Sequence, residues 1–231
     1  MRPPSDPEVI FFDIGGTLLN FNIEPSQLFS RILKDHGLAV EPGALYRTMR
    51  AVEADMPAPL GTAAQSEAAY WRAFDERILE RLGVNPTREV LDEVSRRFQS
   101  ELTLEPFAES LKVLEAVRAR GLPLGVISNA SHGILGDIKR TGLAPFFKHV
   151  VYSQAVGAAK PDPAIFREAL ARFGVAPPKA WHIGDNPVAD VEGARGVGIH
   201  PVLVDRGGQH AGLDVPRVAD LNGVVDLLGG A

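Results

Sequence analysis

The amino-acid sequence predicts an α/β protein in which a parallel sheet is flanked by helices and interrupted by an all-helical insertion. The apolar run Val9–Phe12 leads into a glycine-rich loop, which is typical of a buried parallel strand. From Pro106 onward, strand-like apolar runs alternate with amphipathic helical segments. Residues of about 20–105 show helical periodicity only. We therefore expect the first strand to pair with strands that lie far from it in the sequence.

Composition restricts the classes of protein to which the chain can belong. Of its 231 residues, 45% are hydrophobic, which is enough for a sizeable core. The formal net charge of -5 and the lack of a basic run argue against nucleic acid or an anionic membrane as partner. The sequence contains no cysteine, so disulfides, thiolate metal sites and cysteine nucleophiles are excluded. Residues 1–7 lack the apolar core of a signal peptide, so we expect a soluble, cytoplasmic protein.

Four amphipathic segments make up the helical insertion, and together they are expected to form a small core of their own. The first covers residues 26–36 and ends at Gly37, and the third ends at Gly83. The fourth is expected to begin with Asn85 as N-cap and Pro86 at the first helical position. The breaker-rich stretch Pro57–Gly61 separates the second from the third. The apolar stripes of the four segments are Leu28, Phe29, Ile32 and Leu33; Leu45, Met49 and Val52; Tyr70, Phe74, Ile78 and Leu82; and Val90, Leu91, Val94, Phe98 and Leu102.

After the insertion, strands and helices are predicted to alternate to the end of the chain. Helices are expected to end near Gly121, Gly142 and Gly174, because glycine is common just past a helix C-terminus. The last of these helices is expected to run from Pro163 to Phe173. The predicted strands are Leu124–Ile127, His149–Tyr152, Ala180–Ile183 and Pro201–Val204, followed by a short one at Arg217–Ala219. Since crossovers between parallel strands are right-handed, the carboxyl ends of these strands should meet along one edge of the sheet.

Polar side chains follow the predicted strands at that edge. In chain order they are Asp13 and Thr17, Ser128 and Asn129, Lys160, and Asp185 and Asp190. Taken singly, each has an ordinary structural explanation as a turn, cap or surface residue. Together they supply carboxylates for a hard divalent cation and an ammonium, a hydroxyl and an amide for a phosphate group. An aspartate is ordinarily ionised at neutral pH, so Asp13 is able to attack phosphorus or carbon without an activating base.

The order of these motifs resembles the haloacid dehalogenase (HAD) superfamily. The motifs are Asp13-x-x-Gly16-Thr17-Leu18, Ser128-Asn129, Lys160-Pro161 and Gly184-Asp185-x-x-x-x-Asp190. The resemblance covers essentially the whole chain and is to the subgroup with a helical cap inserted after the first motif. It implies a Rossmann-like core of residues 1–19 and 106–231 and a cap of residues 20–105. It also implies a Mg²⁺-dependent phosphatase that acts on a small phosphorylated substrate through an aspartyl-enzyme intermediate.

The resemblance also assigns roles to individual residues. Asp13 matches the nucleophile, and Thr17 and Lys160 match groups that take part in the transfer. The residues that would hold the phosphoryl group are Gly16, Thr17, Ser128, Asn129 and Lys160. The residues that would hold Mg²⁺ are Asp13, Gly15 through its main-chain carbonyl, Asp185, and Asp190 as an outer ligand or orienting group.

The match to family phosphatases breaks at Gly15, where they usually carry a second aspartate as general acid. Losing a positioned acid typically costs on the order of 10²–10⁴ in rate. One interpretation is a phosphatase with a substitute acid or a good leaving group. The candidate substitutes are His132, Glu24 and His36.

A second interpretation is a 2-haloacid dehalogenase, because such enzymes resemble this family yet lack both the second aspartate and the metal. They use a cap arginine, for which Arg47 or Arg50 is available. However, Asp185 and Asp190 match the metal-type ending. Phe166 also occupies the region where dehalogenases carry an aromatic hydroxyl.

Two further interpretations remain open. One is a phosphonatase, because these enzymes carry a small residue at the position of Gly15. They also need a cap lysine, which forms a Schiff base with the substrate. Lys34 is the only lysine between residues 20 and 105, and it lies closer to the first motif than the family pattern expects. The chain is also compatible with a weakly active member that serves as a binding protein.

Overall fold

A computed structural model of the protein describes residues 6–56 and 64–229. The breaker-rich stretch Pro57–Gly61 and residues 1–5 of the N-terminal segment lie outside the described residues. The chain divides into two compact units. The sheet unit contains the residues up to Asn20 and those from Glu105 onward, and the helical unit is Phe21–Leu104. Among the described residues, no helix combines the length and apolarity needed to cross a bilayer.

The sheet unit is built on a six-stranded parallel sheet, as the sequence predicts. The strands of the protein are β1 (Val9–Phe12), β2 (Leu19–Phe21), β3 (Leu104–Pro106), β4 (Leu124–Ser128), β5 (Phe147–Tyr152), β6 (Ala180–Gly184), β7 (His200–Val204) and β8 (Arg217–Val218). The order in the large sheet is β5-β4-β1-β6-β7-β8. Ile10 of β1 pairs with Leu124 on one side and with Trp181 on the other. The first strand is therefore central, flanked by β4 and β6 from much later in the chain.

The helical unit forms a core of its own from the predicted apolar stripes. Its helices are α1 (Pro25–Asp35), α2 (Pro42–Asp55), α3 (Ala64–Arg81) and α4 (Arg88–Glu101). The buried residues include Phe29, Ile32, Ile78 and Val94. All four predicted helices are present, and most residues of the predicted stripes are buried. The stripe residues that are only partly buried against this core are Met49, Tyr70, Leu82, Phe98 and Leu102.

The predicted start of the fourth helix is wrong. The helix begins at Arg88, and Thr87 rather than Asn85 is its N-cap. The Thr87 hydroxyl accepts a hydrogen bond from the N–H of Val90 at 3.3 Å. Because this hydroxyl satisfies an amide that the first turn would leave unpaired, it sets the helix start two residues later than expected.

Helices follow the strands of the large sheet. They are α5 (Ser110–Ala119), α6 (Ile134–Arg140), α7 (Ser153–Val156), α8 (Pro163–Phe173), α9 (Gly193–Gly196) and α10 (Asn222–Gly229). Helix α8 has the predicted bounds, beginning at a proline and ending before Gly174, whose φ is 66°. Ile165 and Phe166 of this helix belong to the same buried cluster as Phe11 of β1 and Ile127 of β4. This packing fixes α8 to the strands whose ends carry the polar motifs.

A small two-stranded sheet of β2 and β3 was not predicted. It lies where the chain passes from one unit to the other. The N–H of Asn22 donates to the carbonyl of Thr103 at 2.9 Å, and that of Phe107 donates to Leu18 at 3.2 Å. Strands of three residues are too short to show an alternating pattern in the sequence.

Candidate active site

Three carboxylates converge at the carboxyl ends of neighbouring strands. Asp13 follows β1, while Asp185 and Asp190 follow β6. One oxygen from each of these side chains lies within 4.8 Å of the other two. Adjacent parallel strands thus bring together side chains that are more than 170 residues apart in the sequence.

Lys160 lies between two of these acids. Its ammonium is 2.8 Å from Oδ1 of Asp13 and 2.6 Å from Oδ1 of Asp190, and its side chain is 2% exposed. Burial alone would lower the pKa of Lys160, but the charges of Asp13 and Asp190 outweigh it and raise the pKa above its ordinary value. The ammonium is therefore held in its charged form beside the predicted nucleophile.

Asp190 accepts three hydrogen bonds from the protein. Its Oδ1 accepts from Lys160 and from Nε2 of His182 at 2.9 Å, and its Oδ2 accepts from the N–H of Asn186 at 2.9 Å. Burial would raise the pKa of Asp190, but Lys160 and His182 hold it well below its usual range. A carboxylate with this many donors is suited to orienting Lys160 rather than to binding a cation directly.

The pKa of Asp185 is shifted upward, in the direction opposite to that of Asp190. Burial, followed by the charges of Asp13 and Asp190, raises its pKa to about 7, although a hydrogen bond from Thr17 opposes this. The Thr17 hydroxyl donates to Oδ1 of Asp185 at 3.2 Å. The pKa is raised by burial first and then by the two neighbouring acids, whose charge Lys160 offsets only in part. A divalent cation among these oxygens would remove the repulsion, so the donor set fits Mg²⁺.

Two glycines of the motifs make room for the acids. Gly16 has a φ of +74°, and a Cβ there would lie 2.7 Å from Cγ of Asp185. A Cβ at Gly184 would lie 2.6 Å from Cβ of Asp190. Gly15 differs from both, because a Cβ there would meet no atom within 4 Å, and its φ is not positive. The backbone therefore does not require glycine at the position where family phosphatases carry their acid.

The side chain of Asn129 is hydrogen-bonded to the backbone of Lys160. Its amide oxygen accepts from the N–H of Lys160 at 2.7 Å, and its amide nitrogen donates to the carbonyl of Lys160 at 2.9 Å. Both ends of the amide are thus engaged, which favours a positioning role over the predicted contact with phosphate. Ser128 is the last residue of β4, and its side chain is buried at the carboxyl end of that strand.

Arg206 is a site residue that the sequence analysis missed. Its guanidinium donates to the carbonyl of Thr17 at 3.1 Å, pairs with Glu109 at 2.7 Å and stacks 3.5 Å above the ring of Phe107. These contacts fix the loop that carries Thr17. The signal that could have found it is the same strand-end rule, because Asp205 and Arg206 directly follow β7.

The candidate substitute acids lie in different units. His132 belongs to the sheet unit, where its exposed ring places Nδ1 2.6 Å from the hydroxyl of Tyr152. Glu24 belongs to the helical unit and caps α1, accepting from the N–H of Ser26 at 3.2 Å. His36 is the C-cap residue of α1. Of the three, His132 alone shares a unit with Asp13.

The arginines that the dehalogenase interpretation requires and the lysine that the phosphonatase interpretation requires are on the surface of the helical unit. Arg47, Arg50 and Lys34 are exposed, and Arg50 pairs with Glu53 at 2.9 Å. Phe166 is fully buried, and its ring meets that of His182 edge to face. It therefore packs within the sheet unit and supplies no hydroxyl to a substrate.

Comparison with known proteins agrees with this architecture. A family model for haloacid dehalogenase-like hydrolases matches residues 7–198. Haloacid dehalogenase-like hydrolase domain-containing protein 3 of Mus musculus is 30% identical over 203 residues, covering 85% of this chain and 81% of that protein. A phosphoserine phosphatase of Thermus thermophilus is 42% identical over 150 residues, covering 61% of this chain and 58% of that protein. The crystal structure of an L-2-haloacid dehalogenase superposes with a TM-score of 0.76 at 23% identity, covering 98% of this chain and 100% of that chain, which shows the fold. The chain belongs to the haloacid dehalogenase-like hydrolases.

Proposed function

We propose that the protein is a Mg²⁺-dependent phosphatase that acts on a small phosphorylated molecule through an aspartyl-phosphate intermediate. The observation that carries the proposal is the bond between Lys160 and Asp13, with Asp185 close enough to share a cation with Asp13. The similarity to a phosphoserine phosphatase over 150 residues supports the same reaction class.

The residues of the site divide the work of phosphoryl transfer. Asp13 attacks phosphorus, forming a new O–P bond as the bond to the leaving oxygen breaks. Lys160 offsets the negative charge that accumulates when carboxylate and phosphate meet. The backbone N–H of Gly16 and the hydroxyls of Thr17 and Ser128 would hold the phosphoryl oxygens. When bound by Asp13, the Gly15 carbonyl and Asp185, Mg²⁺ would supply further charge neutralisation.

The leaving group sets the main constraint on the substrate. Gly15 offers no proton, so the leaving oxygen must depart as an anion or take a proton from another residue. His132 is the candidate donor within the sheet unit. We therefore expect substrates whose leaving groups are stable anions, such as aryl or acyl phosphates, to react fastest.

A 2-haloacid dehalogenase is the second candidate, and the open position at Gly15 favours it, because halide leaves without a proton. The deciding experiment is a screen of aryl, alkyl and acyl phosphates, phosphonoacetaldehyde and 2-haloacids, each with Mg²⁺ and with EDTA. The proposal predicts phosphate release that EDTA abolishes and Mg²⁺ restores. Halide release that persists in EDTA would establish the dehalogenase. Turnover of phosphonoacetaldehyde alone would establish a phosphonatase, and no turnover at all would favour a binding protein.

A further inference from the structure

The helical unit contains a cavity of about 520 Å³, and its lining does not include Asp13, Lys160, Asp185 or Asp190. Its lining comes from the start of α1 and from α2, α3 and α4. Most of that lining is apolar, and five rings contribute to it: Phe21, Tyr46, Trp71, Phe74 and Phe98. Tyr46 and Trp71 are about half exposed, at 50% and 48%, so large apolar surfaces are open to solvent.

One carboxylate in the cavity wall has no partner. Asp75 on α3 is 7% exposed, and it makes no hydrogen bond or ion pair with any described residue. The neighbouring arginine on the same helix, Arg72, donates to Asp92 of α4 instead. Among the described residues of the lining, Arg50 is the only cation, and it is paired with Glu53. Within that part of the chain, the cavity therefore presents an unused buried acid and no unused cation.

A buried acid without a partner lowers the stability of the fold. Burial raises the pKa of Asp75 to about 7, with Arg72 lowering it and Glu76 raising it. A side chain whose charge is uncompensated in the folded protein is typical of a ligand site, where the ligand completes the interaction.

We propose that this cavity binds a small organic cation, namely a primary amine carried on an apolar or aromatic body. The ammonium would donate to the carboxylate of Asp75, forming the charge-assisted bond that the protein itself does not provide. The body would pack against the rings of Trp71 and Phe74, where cation–π attraction adds to apolar contact. Glu24 and Glu53 also lie in the lining, so its charge is unfavourable for an anion.

The surroundings of Asp75 determine how binding depends on pH. The charged groups that act on Asp75 or share its cavity are Arg72 and Glu76 on its own helix, Glu24 before α1, and Arg50 and Glu53 on α2. Asp92 on α4 pairs with Arg72. The lining residues that come from α4 and its C-cap, namely Ser95, Phe98, Gln99 and Leu102, are uncharged. Because an ammonium stabilises the ionised carboxylate, amine binding below about pH 7 should release a proton.

Calorimetric titration of the whole protein tests the proposal without requiring turnover. The probes are 2-phenylethylamine and its neutral counterpart 2-phenylethanol, titrated into the wild type, Asp75→Asn and Glu80→Gln. Glu80→Gln is the matched control, because it removes the same charge from an exposed position of α3 outside the cavity. We expect Asp75→Asn to weaken amine binding on the order of 10- to 100-fold. Glu80→Gln should bind as the wild type does, and the alcohol should not distinguish the three proteins.

Two further readouts separate a binding role from a structural one. In buffers of different ionisation enthalpy at about pH 6, the heat of amine binding should vary for the wild type and not for Asp75→Asn. Asp75→Asn should also melt at the same or a higher temperature, because it removes an uncompensated buried charge. Equal amine affinity of the wild type and Asp75→Asn, or no amine binding to the wild type, would overturn the proposal.

The amine could be a free molecule or part of the substrate, and kinetics distinguish the two sources. This comparison rests on the proposed phosphatase activity, whereas the calorimetry does not. The two substrates are tyramine O-phosphate and 4-ethylphenyl phosphate, which differ chiefly in the amine. If Asp75→Asn lowers kcat/KM for the first alone, the amine belongs to the substrate. If both substrates are unaffected while calorimetric binding is lost, the site serves a free amine.

Discussion

The ammonium of Lys160 lies 2.8 Å from Oδ1 of Asp13. The proposed nucleophile therefore forms an ion pair with the side chain that would stabilise the transferring phosphoryl group. Lys160 is held from its other side by Asp190. The orientation of Asp13 is therefore set by the protein before a substrate arrives. Such preorganisation is a main source of rate enhancement in phosphoryl transfer.

Replacing Asp13 by asparagine should abolish turnover. The amide is a far poorer nucleophile and loses the charge that binds Lys160, so kcat should fall on the order of 10⁴-fold or more. The measurement is phosphate release together with trapping of the phosphorylated enzyme from labelled substrate. Asp137→Asn is the matched control, since Asp137 pairs with Arg140 on the surface of α6. Phosphoenzyme formation by Asp13→Asn would contradict the assignment.

The raised pKa of Asp185 predicts how stability depends on pH. With a pKa of about 7 in the folded state, Asp185 binds its proton more tightly than it does in the unfolded chain. Its contribution to stability therefore falls as pH rises from about 4 to about 7. In EDTA, the Tm of the wild type should decrease across this range more than that of Asp185→Asn. Mg²⁺ should raise the Tm more at about pH 8 than at about pH 5, because cation and proton compete for the same oxygens.

Asp75 contributes in the same direction, but it is present in both of the proteins compared. The difference between the two melting profiles therefore isolates Asp185. Identical profiles for the wild type and Asp185→Asn, with and without Mg²⁺, would show that the repulsion inferred at this site is absent.

The missing acid at Gly15 should make the rate depend steeply on the leaving group. Aryl phosphates should be hydrolysed readily and alkyl phosphates slowly, because only the former leave easily as anions. The measurement is kcat/KM across a series of phosphates of increasing leaving-group pKa. Equal kcat/KM values across the series would mean that another residue donates the proton. In that case His132→Ala should impair alkyl phosphates more than aryl phosphates, and Glu24→Ala would be the next variant.

Gly15→Asp should selectively accelerate the hydrolysis of alkyl phosphates, by on the order of 10²-fold or more if the new acid is well placed. The variant should fold, because a Cβ at this position meets nothing within 4 Å and the backbone is not left-handed. Gly15→Asn is the matched control, with similar size and no acidic proton. Equal acceleration by both variants would point to a packing effect rather than to acid catalysis.

Variants of Asn129 should distinguish a positioning role from a phosphate-binding role. Asn129→Ala leaves the N–H and carbonyl of Lys160 without their partners, so we expect kcat to fall on the order of 10-fold or more with little change in KM. Asn129→Asp keeps the acceptor for the Lys160 N–H and should lie between the alanine variant and the wild type. A large rise in KM at unchanged kcat would instead support the contact with phosphate that the sequence suggested.

The sheet and most helices could be predicted because their signals are local. Val9–Phe12 is a continuous apolar run, and it forms a fully buried central strand. The bounds of α8 were marked by Pro163 and Gly174, residues whose backbone preferences start and stop helices. The meeting of Asp13 with Asp185 followed from topology alone, because parallel strands end at one edge.

The remaining features depend on partners that lie far away in the sequence. Asn129 and Arg206 acquire their roles from Lys160 and Thr17, to which the local sequence gives no link. Asp75 resembles any acid on an amphipathic helix until the packing of its neighbours shows that it is buried. At the start of α4, the sequence pattern predicted Asn85 as the cap, whereas the hydrogen bond to the N–H of Val90 comes from Thr87.

The pairing of β2 with β3 affects how the length of the helical insertion can change during evolution. Asn22 and Thr103, which lie near the two ends of the insertion, are hydrogen-bonded to each other. The insertion is therefore a closed loop whose ends are adjacent. The entropy of closing a loop grows slowly, by only about 0.6 kcal/mol for each doubling of its length. Insertions of quite different size could therefore be exchanged at this junction with little effect on the register of β1. The two short strands β2 and β3 thus form a junction at which the length of the insertion can vary without disturbing the sheet.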